Sequence, residues 1–340
     1  MNINIENLNQ YVQQVSYTAN YWLVRTMSGH YYRDFVDEGY IAIGHNEISL
    51  NYLRSLNEDD KLAFAELKGY IVEHLQSTIN QPGHAASQLI RFSRHILPGD
   101  IVIVPGYSHG DIAICRVSGC IYEEPTAGHG DHDCPFMKRI PVRVERRMRR
   151  RLLPPKAQLM FNSRHPISDI NAYAAYIDTA VHDYYNKGDE THLLLQINTD
   201  DEVAASTFYN LEKLFQLAEN FCQEYGIEGN SSDVAMKVQM ESKGWLRFVS
   251  RNAKYVGIVA SLILFINGGG FRYEREGLNV DLSTDGLFRN ISEFLDRQQD
   301  REMKEAIKNS LDSLEIKTPE DFEKAVIELY RTQNEARDRY

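Results

Sequence analysis

Apolar residues along this chain follow two periods, and the change from one to the other outlines its elements. Residues 97–117, LPGDIVIVPGYSHGDIAICRV, hold the run Ile101-Val102-Ile103-Val104, apolar at every position, which predicts a strand buried on both faces inside a sheet or small barrel. Pro98-Gly99-Asp100 supplies the turn before it, Pro105 to Gly110 a loop after it, and 112–117 a returning strand. Upstream, the pattern predicts a leading helix over 3–15, a strand over 21–25, and a short helix over 31–38 closed by Gly39. A strand over 40–44 follows, then helices over 50–56, 58–76 and 84–96. Pro154-Pro155 can continue neither a helix nor an inner strand, which puts a domain boundary between 153 and 154.

Beyond that break the pattern predicts a helix over 169–185, a strand over 191–198, and a helix over 206–225. The last carries Phe208, Leu211, Phe215, Ala218, Phe221 and Tyr225 as one apolar stripe. Strands over 234–241 and 245–250 flank a turn, and 252–266 reads as a central buried helix stopped by Gly268-Gly269-Gly270. Short strands over 271–273 and 278–282 precede terminal helices, the last opening at Thr318-Pro319. The fold class expected is α+β in two domains, 1–153 and 154–340.

Composition narrows the class. At 340 residues with 43% hydrophobic content, the chain can bury two cores. Residues 1–160 carry 17 basic and 17 acidic side chains, so the net charge of −11 lies entirely in 161–340. The first half is therefore the better candidate for a polyanion partner, and the acidic second half for a protein partner or an effector role. Cys115, Cys120, Cys134 and Cys222 show no CxxC spacing, and MNINIENLNQ has neither a basic nor an apolar signal region, which predicts a reducing cytoplasm. The longest apolar run, within 255–266, is too short for the ~20 residues of a membrane span. No Gly-rich phosphate loop, HExxH or nucleophile elbow is present, so the chain reads as a binding module rather than an enzyme, and no cofactor is implied.

YWLVRTMSGHYYRDFVDEGYIAIG, followed by SQLIRFSRHILPGDIVIVPGYSHGDIAICRVSG, resembles the PUA/EVE-like domain at the front of Mrr-type and related prokaryotic restriction proteins. The positions that carry the resemblance are Arg25, Phe35, Ala42-Ile43-Gly44, Arg91-Phe92, Gly99-Asp100 and Val117-Ser118-Gly119. It covers residues 18–150 and departs where the family has a Trp-bearing strand, since this chain has Arg139-Ile140-Pro141-Val142-Arg143. The resemblance implies a small β-barrel with flanking helices that reads a flipped or single base, often a modified one, in DNA or RNA within antiphage defence. Reading an extruded base takes an aromatic face and polar groups for its edge. Trp22, Tyr40 and Tyr107 are the candidate faces; Arg25, His45, Asn46, Ser108 and His109 are the candidate polar groups. A free nucleotide messenger is the alternative ligand.

Lys138, Arg139, Arg143, Arg146, Arg147, Arg149, Arg150 and Arg151 form the densest charge cluster, against the single acid Glu145, and are the candidate phosphate contacts. His129-Gly130-Asp131-His132-Asp133-Cys134 has metal-capable side chains but lacks two spaced ligand pairs, so a plain loop is expected. Asp233 with Glu241-Ser242-Lys243 imitates a nuclease motif, but its members fall on one strand and its following turn, which argues against a metal-dependent nuclease.

Overall fold

The computed structural model describes residues 5–125, 127, 134–199, 201–202, 204–239, 244–268, 272–275, 278–281, 286–297 and 301–337. The chain divides into two units, one of residues 18–181 and one of residues 1–17 with 182–340. It begins with helix α1 (Ile5–Leu8) and strand β1 (Gln13–Val15), which belong to the second unit. Val15 therefore ends a strand; the helix expected over 3–15 stops at Leu8, because β1 pairs in parallel with residues 185–187 and Leu8 and Val12 are in that unit's core.

Residues 18–181 build a curled seven-stranded half-barrel with helices on both faces. Its strands are β2 (Tyr21–Val24), β3 (Tyr40–Ile43), β4 (Ile101–Pro105), β5 (Asp111–Val117), β6 (Tyr122–Glu123), β7 (Lys138–Arg149) and β8 (Ile167–Asp169). They lie in the order β3-β7-β5-β4-β2-β8, with β6 also on β7. The twelve-residue β7 turns the corner: its first part pairs with β3 and its remainder with β5, and the register slips between Ile114 and Cys115. That slip leaves Glu145 without a partner in the ladder, and its carboxylate accepts Arg116 Nε–H at 2.5 Å.

The continuous apolar runs have the cause expected of them. Val102, Val104, Ala113 and Cys115 pack under the helical side, with Phe35, Leu67, Leu89 and Phe92. Ile101, Ile103, Ile112 and Ile114 pack on the opposite side, with Leu153, Ala157, Met160, Phe161 and Ile177. Each strand is covered twice. The second cover corrects the expected boundary: Pro155 opens the short helix Pro155–Gln158 instead of a new domain, and β8 adds to the sheet beside β2, so the unit ends at Val181.

One buried carboxylate fastens β2, β4 and the turn between 97 and 100. Asp100 is 3% exposed. Its Oδ1 accepts the Asn20 N–H at 2.9 Å, and its Oδ2 accepts Trp22 Nε1–H at 2.9 Å and the Leu97 N–H at 3.0 Å.

The second unit has a five-stranded sheet in the order β1-β9-β10-β12-β11, where β9 is Tyr184–Lys187, β10 Glu190–Gln196, β11 Ala235–Gln239 and β12 Trp245–Ser250. The sequence missed β9 because Tyr184 and Tyr185 extended the apparent helix, which ends at Val181. Helix Ala253–Gly268 is buried at every position from Tyr255 to Ile266, and helix Ala205–Tyr225 lays its stripe on the same core and ends at a left-handed Gly226. On β10, His192 is 7% exposed and its ring stacks on Tyr185 at 4.6 Å. Burial, aided by the charges of Arg247, Lys187 and Lys237, lowers its pKa to about 4. No helix of the described residues is long and apolar enough to cross a membrane, and all four cysteines are free thiols.

Two outcomes follow for stability, and the two tryptophans, Trp22 and Trp245, report one from each unit. Asp100→Ala leaves three donors, the Trp22 indole among them buried, without an acceptor, so unfolding followed by Trp22 fluorescence in urea should lose about 2 to 4 kcal/mol. Asp100→Asn keeps an acceptor oxygen and should lose less; an alanine variant within about 1 kcal/mol of wild type would remove Asp100 from this role. For His192 the folded pKa lies below the unfolded value near 6.5, so the unfolded chain takes up the proton first. Stability of the second unit, read from Trp245, should fall by about 2 to 3 kcal/mol between pH 6.5 and 4. His192→Phe, which keeps the stacked ring, should flatten that limb.

Candidate functional site

A cavity of 620 Å³ opens in the 18–181 unit where β2 and β3 both end. Its wall combines Val24 and Arg25, the β3 end from Ala42 to His45, His84 and Gln88 of helix Pro82–Ile90, Phe136, and the 164–167 segment. Its volume is in the ~300–1,000 Å³ range of small-molecule sites. A 720 Å³ hollow in the second unit has no aromatic residue in its lining and mixes acids with bases, among them Glu228, Asp233 and Arg251, so it offers no stacking face.

The floor is pinned by polar groups. Lys138, fully buried, donates from Nζ to the carbonyls of His45 at 2.8 Å and Ile48 at 2.9 Å, and burial lowers its pKa to about 8. Asn46 donates to the Pro135 carbonyl at 2.8 Å and accepts the Met137 N–H at 3.1 Å. Phe136 between them is held against Gly44, where a Cβ would come within 3.3 Å of its ring, and Tyr31 meets its edge at 5.3 Å. Gly44 thus leaves room for an aromatic wall.

The opposite wall is built by Gln88 and Arg25. Gln88, 3% exposed, accepts the Ile167 N–H on Oε1 at 2.8 Å. Arg25 spends Nη1 on His109 Nε2 at 2.9 Å and Nη2 on the carbonyls of Phe161, at 2.9 Å, and Ser163, while its Nε is buried and unpartnered. Burial lowers the pKa of Arg25, and burial together with the charges of Arg25 and Arg150 lowers that of His109. His45 is also lowered, by burial first and by Lys138 and His84, against Glu47. Near pH 7 these two imidazoles are therefore predominantly neutral, and the site's charge comes from arginine. At the rim, Met27 and Ser28 hold positive φ of 51° and 59°. Gly29 beside them has φ 96°, and a Cβ there would stand 2.3 Å from the Tyr107 backbone, so only glycine permits the 26–31 turn to lie on the 106–109 loop.

The sequence candidates divide accordingly. Arg25 and His45 line the cavity, and His109 and Asn46 hold lining groups in place. Trp22 is 5% exposed, a core ring fixed by Asp100, and does not line it. Tyr40 is buried beneath Arg139, whose guanidinium lies 4.0 Å from its ring. Tyr107 is 80% exposed and, with Ser108, sits on the neighbouring turn outside the lining. His84, Gln88, Phe136 and Arg164 were not singled out. Gln88 had a signal: a lone amide among the apolar Ala85, Ala86, Leu89 and Ile90 of one helix.

The basic run divides between two buried residues, one half-buried and five exposed. Lys138 and Arg139 are buried in structural bonds, the latter to the carbonyls of Cys134 and Phe136, so neither can meet a phosphate. Arg147 pairs with Asp37 at 2.9 Å, Arg149 approaches Asp111 at 3.8 Å, and Arg150 lies over Phe161 while donating to Gln158 O. Arg143, Arg146, Arg147, Arg149 and Arg151 are exposed; Arg143 is 3.7 Å from Glu145 and Arg146 donates to Val181 O. Residues 18–181 balance at 18 basic and 18 acidic side chains.

Residues 129–133 of the metal-capable loop and 241–243 of the nuclease-like motif lie outside the described residues; Asp233 ends a 3-10 turn before β11. Among the described residues no three His, Cys, Asp or Glu side chains are placed to hold a metal ion. Comparison with protein-family models, with curated proteins and with solved structures returned no match.

Lys138→Met keeps the stem in place but strips the His45 and Ile48 carbonyls of their donor. It should lower unfolding free energy by about 2 kcal/mol and speed amide exchange across 44–48; unchanged exchange there would mean the loop holds itself.

Proposed function

We propose that residues 18–181 form a PUA/EVE-like reader that takes one extruded or single-stranded base of DNA or RNA into the 620 Å³ cavity. The observation that carries this reading is the pairing of one aromatic wall, Phe136 on Gly44, with convergent polar groups from Arg25, Gln88 and Arg164 in a single cavity. A stacking face and an edge-reading rim are what recognition of an unstacked base requires. The half-barrel sheet and the GD turn at Gly99-Asp100 agree with the resemblance noted in the sequence. Antiphage defence is the setting that resemblance implies. The second unit, which holds the whole net charge of −11, serves partner contact or signal output in this scheme. A free nucleotide is the second reading, favoured by the local neutralisation of the basic strand.

Fluorescence anisotropy with labelled oligonucleotides tests the proposal. Phe136→Ala, shown folded by circular dichroism, should lose about 1 to 3 kcal/mol of affinity, the value of one stacked base. Arg143→Ser with Arg146→Ser should weaken all sequences equally and flatten the salt dependence by roughly 0.7 to 0.9 in log–log slope per lost contact. Mononucleotides that bind as tightly as oligonucleotides, with no salt dependence, would transfer the site to the free-nucleotide reading.

A further inference from the structure

We infer that the group entering this cavity presents hydrogen-bond acceptors, an oxo- or carboxylate-bearing base edge, and that a base offering an exocyclic amino group there is rejected. The inference rests on the base-reading proposal and deepens it to a ligand class.

Every lining side chain with a fixed hydrogen-bonding role is a donor. The Gln88 amide could in principle face the cavity either way, but the Ile167 N–H commits its Oε1 at 2.8 Å, so the amide NH₂ is the half it has left. That side chain is 97% buried, its relative exposure being 3%, and it lines the cavity from a helix, so its orientation is set by the fold. Arg25 can only donate; its Nη nitrogens are held by His109, Phe161 and Ser163, and its Nε–H is buried without a partner. Arg164 can only donate, and no carboxylate pairs with it among the described residues. Among the described residues no Asp or Glu lines the cavity.

Three backbone acceptors of the lining are already engaged. The carbonyl of His45 takes Lys138 Nζ, that of Pro166 takes the Arg25 N–H at 2.8 Å, and that of Ile167 takes Arg91 Nη1 at 3.0 Å. Only Ser28 and the imidazoles of His45 and His84 can adopt either role, and His84 Nε2 already shares a hydrogen bond with His165 Nδ1 at 3.1 Å. An amino group placed against Arg25, Gln88 and Arg164 would leave both itself and them unsatisfied. Sites built on buried hydrogen bonds discriminate strongly against such a mismatch. Thymine, uracil and guanine offer O4 or O6 where cytosine and adenine offer an amino group.

The test is a set of short duplexes in which one variable base faces an abasic site, so that extrusion is cheap. Thymine and uracil should bind at least about tenfold tighter than cytosine, and guanine tighter than adenine, each comparison made at equal ring size. 5-Carboxylcytosine above 5-methylcytosine would identify a carboxylate as the group read; a preference for thymine, uracil and guanine without it would identify an oxo group. Gln88→Glu keeps the oxygen that accepts from Ile167 and replaces the donor with an acceptor. It should narrow or reverse the thymine-to-cytosine ratio whatever it does to overall affinity. If that variant fails to fold, the wild-type series decides alone. Equal affinity for all bases overturns this inference and leaves a base reader without edge selectivity; absence of binding to any of the duplexes and single strands overturns the base-reading proposal itself.

Discussion

One buried carboxylate, with no ion-pair partner among the described residues, is the constraint on which the 18–181 unit depends. Asp100 gathers three N–H groups from Asn20, Trp22 and Leu97. Hydrogen bonds to a charged acceptor are worth about 1.5 to 3 kcal/mol each, enough to offset the cost of burying one ionised group among apolar neighbours. The parallel pairing of β2 with β4, Tyr21 opposite Ile101 and Leu23 opposite Ile103, begins beside this knot. Gly99, at φ 96°, lets the turn close there, and the Val117 N–H returns to the Asp100 carbonyl at 2.8 Å, so β5 is tied to the same point. With β2 fixed at its start, its end is fixed as well, and Arg25 is delivered to the cavity wall.

The outer cover of the sheet and the cavity are one problem solved by one segment. The stretch after Pro154-Pro155 buries Ile101, Ile103, Ile112 and Ile114 through Ala157, Met160 and Phe161. The same stretch then runs along β2 as β8 and supplies Arg164, Pro166 and Ile167 to the wall, while its Phe161 and Ser163 carbonyls hold the Arg25 guanidinium. A domain cut at 153 would remove Arg164, Pro166 and Ile167 from the wall and expose one face of three strands. This is why the boundary lies at 181, past the point where composition changes.

What the sequence made legible was whatever a local period encodes. The doubly buried strand at Ile101 to Val104, the stripe from Phe208 to Tyr225 and the buried helix through Val256 to Ile266 are each written in consecutive residues. The leading strand at Gln13 to Val15 was not, because its partner is Tyr185 to Lys187, about 170 residues away, and nothing local distinguishes it from a helix end. The site was half legible for the same reason. Arg25 and His45 end strands that could be read, whereas Gln88, Phe136 and Arg164 meet only through the curl of the sheet. Trp22 misled because a strand tryptophan is equally suited to a stacking platform and to a core; a hydrogen-bonding aspartate 78 residues later decided for the core.

Charge makes the closing step. A cluster of eight basic residues within 138–151 reads in one dimension as a phosphate track, yet in three dimensions two of them are buried, one covers Phe161 and three more have carboxylates close by. Non-specific affinity for a polyanion scales with the cations free to displace counterions. Here five remain exposed, but the unit that carries them is neutral, and the other unit holds −11. Long-range attraction is correspondingly small, so for a nucleic-acid ligand the discrimination has to come from short-range contacts inside the cavity, where donors are fixed by the fold and desolvated. Under the base-reading proposal, a protein arranged this way would gain little from backbone contacts and most from one correctly matched base edge.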